Sequence, residues 1–265
     1  MTEPLWTPPP GRFAESAYTR WLEWLARERG LHFHGYRDVW LWSTTEIEQF
    51  WESLHHFFEL RATPHRAVLE DRTMPGARWF PGAHLNYAEH VFRNARVYSG
   101  GADHVAPRRA AHEPALLWQS ELHPLATVTW SELEADVASV ATSLGELGVR
   151  RGDRVCALLP NGPHAVIAFL ACASIGAVWT CCSPDFGADG VTLRFGQVAP
   201  KVLIGVDGYS YNGRRIDTRG TVAALQDALP SLEHTVLVPW LDADAALPGT
   251  IAWQELLGHD VALRF

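Results

Sequence analysis

From Ala115 onward, short apolar runs alternate with segments of helical period. Arg154–Leu159, Ala177–Cys182, Lys201–Val206 and His234–Trp240 are almost continuously apolar. Such runs are the mark of strands buried on both faces. Ala115–Trp118 reads as a further short strand. Between the runs lie helical patterns. Ser131 with Glu134 is expected to cap a helix with apolar positions Leu133, Val137, Val140, Leu144 and Leu147, and Gly148 stands where a left-handed residue closes it. Pro160 ends one strand, and Pro163 suits the first turn of a helix that is apolar nearly all round. Further helices are expected over about Gly190–Val198, Thr221–Leu229 and Ile251–Leu257. Strands separated by helices pair in parallel through crossovers. The predicted fold is therefore α/β, an open and mainly parallel sheet with flanking helices.

The front of the chain has a different pattern. It is rich in tryptophan and helical in period, with an apolar stripe at Trp21, Leu22, Trp24 and Leu25. A second helix is expected to start after Ser43, with Glu46 completing a capping box and an apolar face running from Ile47 to Phe58. Trp79-Phe80-Pro81-Gly82 reads as a turn, and Asn86 to Phe92 as a short helix. Breakers cluster over residues 98–114. The expected division is thus a helical N-terminal extension, 1–105, and an α/β part, 106–265.

Composition removes several function classes. The net charge is -8, and the sole lysine is Lys201, so the clustered basic face that nucleic acid requires is absent. The apolar stretch Ala165–Trp179 is shorter than the ~20 residues of a spanning helix, so no membrane partner is expected. Met1–Arg12 lacks the apolar core of a secretory leader. Cys156, Cys172, Cys181 and Cys182 form no C-x-x-C, which fits reduced thiols and a cytoplasmic location better than disulfides or zinc. Alternation along a strand is expected to send Cys181 and Cys182 to opposite faces.

Familiar catalytic signatures are missing. The sequence contains no G-x-G-x-x-G, no G-x-x-x-x-G-K-[ST], no G-x-S-x-G and no H-E-x-x-H. His55 and Glu59 stand four apart, a spacing a metal could use, but a solvated helix face is the better reading. The segment Asp207–Arg215 is more informative. It follows a buried strand, and ligands of open α/β sheets gather at that edge. It carries two tyrosines and two arginines, and guanidinium groups bind phosphate in bidentate fashion. An ordinary solvated loop is the plain alternative.

Several segments, in order, resemble one family. Trp79–Glu89 is similar to the W-F-P-G-x-x-L-N-Y-A-E signature of acetoacetyl-CoA synthetases. Gly148–Val155 resembles the G-V-x-x-G-D-R-V segment of acyl-CoA synthetases generally. Cys182–Gly187, Arg194–Gln197 and Asp207–Tyr209 with Tyr211–Gly213 again look like the acetoacetyl type. The resemblance implies an acid–thiol ligase that uses ATP, Mg2+ and CoA to turn acetoacetate into its thioester through an acyl-adenylate. It also implies a Ser/Thr/Gly-rich phosphate loop ending in Pro-Lys, and nothing after Lys201 resembles one. By this reading the chain is an incomplete front part of the adenylation domain that does not adenylate alone. No catalytic or metal-binding residue is transferred, and its partner is the remainder of the same protein. Arg214 aligns with one arginine of the CoA-contacting pair of related acetyl-CoA synthetases, Tyr211 rather than an arginine falls at the other, and Arg194 on a predicted helix is a third candidate. Rival readings are a non-catalytic binding or assembly module, an acetyl- or propionyl-CoA synthetase, or an unrelated reductase.

Overall fold

The structure is a computed structural model and describes residues 5–9, 11–14, 16–95 and 111–265. The described residues up to Leu85 form one compact unit; Asn86–Ala95 and the residues from 111 onward form a second. The expected boundary between residues 105 and 106 lies outside the described residues.

The first unit is built on aromatic packing. Helix α1 (Ala17–Arg29) starts at Ser16, whose hydroxyl accepts from the Thr19 amide, and stops at Gly30 in the left-handed region. Helices α2 (Tyr36–Thr45) and α3 (Ile47–Phe57) follow. Trp21, Leu25, Val39, Trp42 and Phe57 form the core, with Phe50 edge-on to Trp21 at 5.8 Å. The expected capping box at Ser43 is not formed. Ser43 lies inside α2 and its hydroxyl donates back to the Trp40 carbonyl at 2.8 Å, a local bond open to any helical serine. Glu59 lies beyond the end of α3 with φ of 46°, so it shares no helix face with His55. The His55 ring stacks on Phe80 instead. Strands β1 (Leu69–Asp71) and β2 (Arg78–Trp79) pair antiparallel and lead into the Trp79–Gly82 turn.

The second unit opens with α4 (Tyr87–Ala95). Strands β3 (Pro114–Trp118) and β4 (Ala126–Thr129) make an antiparallel pair outside the main sheet. The apolar run at 115–118 is thus a strand, but it takes no place in the parallel array. Helix α5 (Trp130–Glu146) is capped two residues earlier than expected. Thr129 ends β4 in extended conformation, its hydroxyl accepts from the Glu132 amide, and Glu132 accepts from the Thr129 amide. Gly148, at φ of 82°, closes this helix as expected.

The main sheet contains β5 (Arg154–Leu158), β6 (Val178–Cys182), β7 (Val202–Val206), β10 (His234–Val238) and β11 (Thr250–Ala252), all parallel. Their order is β11-β10-β7-β5-β6. Helices α6 (Pro163–Ser174), α7 (Ala188–Gly196) and α8 (Arg219–Ala228) connect them. Strand alternation divides the core. Val155, Ala157, Val202, Ile204, Val236 and Val238 pack with α5 and α6, while Cys156, Leu158 and Leu203 pack with α7 and α8. The predicted α/β fold is therefore present, with helices on both faces of an open parallel sheet.

Two local expectations change. Asp207–Arg215 is a hairpin, not a loop: β8 (Gly208–Tyr211) pairs with β9 (Arg214–Asp217). Asn212 and Gly213 form its turn at φ of 52° and 73°, the geometry that Asn-Gly favours. Ile251–Leu257 is divided between β11 and one 3-10 turn, Trp253–Leu256. A parallel edge position beside β10 outweighs the weak helical pattern there.

Motif residues take structural roles. Asn86 caps α4, accepting from the Glu89 amide, and its own amide group donates to the Ala173 and Ser174 carbonyls at the end of α6. The Gly148–Val155 segment sits where the parallel strands begin. There Lys201 donates to the Gly148 carbonyl at 2.8 Å and lies 3.7 Å from the Asp153 carboxylate. Arg154 donates to the Val198 and Ala199 carbonyls.

Candidate binding cleft

The order of the parallel strands reverses at one place. After β5 the chain adds β6 on one side, then returns to add β7 on the other. Ligands of doubly wound sheets bind beyond the carboxyl ends of the strands at such a reversal. A cleft of about 360 Å³ lies there. Pro160 and Asn161 enter it from the end of β5, and Ser183, Pro184 and Asp185 from the end of β6. Tyr209, Ser210 and Tyr211 line it from β8. Ser120 and Trp240 complete the wall.

The wall is held by a buried carboxylate. Asp207, directly after β7, is 3% exposed. It accepts from the amides of Trp240, Leu241 and Asp242 at 2.7 to 3.1 Å. A buried carboxylate is tolerated when its lone pairs are satisfied in this way. Trp240 then lies against Gly162, where an added Cβ would come within 2.6 Å of the indole. Glycine is required there by close approach, not by backbone conformation. The Trp240 ring sits 4.7 Å from His123, 5.5 Å from Trp118 and 5.8 Å from His164.

The hairpin supplies the exposed chemistry. Tyr211 and Arg214 face each other across the turn, and Tyr211 is 70% exposed. Arg215 donates to the Leu241 carbonyl. Below the hairpin, Asp217 pairs with Arg219, and those hydrogen bonds hold its carboxyl below the usual range. Of the three sequence candidates, Tyr211 lines the cleft, Arg214 pairs with it across the hairpin without lining the cleft, and Arg194 stands on a different element. Arg194 lies on α7, where its guanidinium sits 4.6 Å from the Phe186 ring and donates to the Gly190 carbonyl. Burial pushes the nearby Cys182 thiol up, and the Arg194 charge opposes that shift.

Sequence reasoning did not single out Ser120, Asn161, Asp185 or Trp240 as lining residues. Asn161 and Asp185 carried a usable signal, since each follows an apolar run within three residues. Among the described residues no three His, Cys, Asp or Glu side chains converge as a metal site, and no helix is long and apolar enough to cross a membrane.

A doubly wound sheet with a cleft at its reversal defines a ligand-binding class of open α/β protein. Residues 103–261 match the family described as AMP-binding enzyme, and residues 36–91 match the acetyl-coenzyme A synthetase N-terminus. The first match covers more than half of the chain, and the chain belongs to the AMP-binding enzyme family. It is similar to acetoacetyl-coenzyme A synthetase of Rhizobium meliloti, 36% identical over 98% of this chain and 37% of that protein. The Danio rerio acetoacetyl-CoA synthetase is 34% identical over 89% of this chain and 33% of its own length. Among solved structures, acetoacetyl-CoA synthetase from Streptomyces lividans matches with a TM-score of 0.88 and 45% identity, over 100% of this chain and 39% of that one. The chain therefore spans about a third of the length of the relatives it matches.

Proposed function

We propose that this chain forms the front part of an AMP-forming acid–thiol ligase, and that the acid is acetoacetate. The observation that carries the reading is the 45% identity, over the whole of this chain, to the Streptomyces lividans acetoacetyl-CoA synthetase structure. In the proposed reaction an acetoacetate oxygen attacks the α-phosphate of ATP and pyrophosphate leaves. The CoA sulfur then attacks the acyl carbon, AMP leaves, and the thiol proton passes to solvent. Activation replaces a poor leaving group, oxide, with a good one, AMP.

Residues 1–105 serve in this reading as the N-terminal extension, and 106–265 as the first α/β part of the adenylation domain. The contribution of this chain is to CoA. Arg214 and Tyr211 contact its nucleotide end, the guanidinium pairing with phosphate and the phenol ring offering a face to adenine. Arg194 is a secondary contact, because its guanidinium is already seated on Phe186. Mg2+ is assigned no ligand here and accompanies the ATP phosphates. The partner is the rest of the ligase. Four free thiols support a reducing, cytoplasmic setting.

Two measurements on the 265-residue chain test the reading. Calorimetric titration with CoA is expected to give binding that Arg214→Ala weakens about tenfold, or ~1.4 kcal/mol; unchanged affinity removes the hairpin from the CoA site. Acetoacetate with MgATP is expected to release no pyrophosphate, because nothing after Lys201 resembles the family's phosphate-gripping loop, which would stabilise the transferred group. Turnover by this chain would overturn that part of the proposal.

A further inference from the structure

Glu121 lies in the connection between β3 and β4, far in sequence from the hairpin whose tip it holds. Its carboxylate accepts from the Ser210 hydroxyl at 2.8 Å, the Asn212 amide at 2.8 Å and the Gly213 amide at 3.0 Å. Asn212 and Gly213 are the two central residues of the turn, and hairpin pairing satisfies neither of their amides. One side chain therefore takes both free donors of the turn and a hydroxyl beside it.

The connection is itself braced. The Ser120 amide donates to the His123 carbonyl at 3.1 Å, and the Ser120 hydroxyl accepts from the Leu122 and His123 amides. The His123 ring meets Trp240 in the cleft wall. Glu121 thus links the wall to the hairpin tip. These hydrogen bonds, led by that of Gly213, hold its carboxyl below the usual range and keep it ionised near neutrality. Its two oxygens are taken by the two turn amides and the Ser210 hydroxyl.

We propose that Glu121 is a positioning residue for CoA, fixing the Asn212-Gly213 turn so that Tyr211 and Arg214 on either side of it present to the coenzyme together. This rests on the reading of the hairpin as the CoA contact. Glu121 touches no substrate in the proposal and acts through its two neighbours.

The test combines CoA titration with amide hydrogen exchange, on the 265-residue chain and its Glu121→Ala, Glu121→Gln, Arg214→Ala and doubly substituted E121A/R214A variants. In the absence of CoA, E121A is expected to speed exchange at Asn212 and Gly213 at least tenfold, with the main sheet unchanged. It is expected to weaken CoA about tenfold, and E121Q, which keeps one carbonyl acceptor, to recover part of both effects. The double variant is expected to fall short of the product of the single factors, because contacts that act as a unit are not additive. E121A with wild-type affinity, beside a weakened R214A, overturns the proposal alone, as does full additivity. An R214A variant with wild-type affinity removes the hairpin reading and this proposal with it.

Discussion

His164 follows Pro163 in the first turn of α6, with its ring between Trp240 at 5.8 Å and Trp253 at 5.2 Å. Its Nδ1 is buried without a hydrogen-bond partner among the described residues. Burial lowers its pKa from 6.5 to about 4, and the neighbouring His123 adds to the shift. The unfolded chain takes up this proton at the ordinary value, so the folded state is not penalised above pH ~6.5. Stability is then lost as pH falls from there towards the folded value, by roughly 3 kcal/mol in all. His164→Phe removes the proton site and keeps a ring between the two indoles. Urea unfolding from pH 7.5 to 4.5 is expected to show the stability gap between wild type and variant shifting by roughly 2–3 kcal/mol in favour of the variant. A gap that stays constant with pH is incompatible with a neutral buried imidazole.

At the scale of elements, the joint between α4 and α6 is made by Asn86. It caps one helix with its oxygen and closes the C-terminal carbonyls of the other with its nitrogen. Loss of a cap costs ~1 kcal/mol, and orphaned partly buried carbonyls add a similar amount. Asn86→Ala is therefore expected to lower unfolding stability by about 2 kcal/mol, read by urea denaturation, while Asn86→Asp keeps the cap and loses only the donor half. Equal stability for wild type and Asn86→Ala would show that the joint contributes nothing. The asparagine of the W-F-P-G signature is thus explained by helix packing and not by chemistry. The same holds for the Gly148–Val155 motif, which lies at the strand ends away from the cleft.

At the scale of the whole molecule, the layered sheet decides which thiols meet solvent. Cys156, Cys172 and Cys182 are buried and Cys181 is exposed. Burial pushes the Cys156 thiol up and the Cys172 thiol up to about 12. A thiolate is the reactive form. A disulfide reagent at pH 8 is expected to modify Cys181 within minutes and the other three only after denaturation, as counted by intact mass. Rapid modification of two or more sites in the folded chain would mean that the faces of the sheet are not closed by their helices.

The sequence by itself determined the layers of the α/β unit. Continuous apolar runs with helical segments between them have few solutions other than a parallel sheet covered on both faces, and the ends of β5, β7 and β10 lie within a residue or two of those runs. Cys181 and Cys182 on opposite faces, Pro163 opening α6 and Gly148 closing α5 follow from rules that act over a few residues. Strand order did not follow, because it depends on pairing between segments far apart in sequence. Nor did the departure of β3 into a separate pair, or the conversion of 251–257 into an edge strand and a 3-10 turn. The candidate site divides along the same line. Tyr211 and Arg214 were named from the family resemblance and stand three apart after a buried strand, but their pairing across the turn was decided by the hairpin. Ser120 and Trp240 came to one wall, and Asp207 and Glu121 came to brace it, only through tertiary structure, since hydrogen bonds between distant segments leave no local pattern in a sequence.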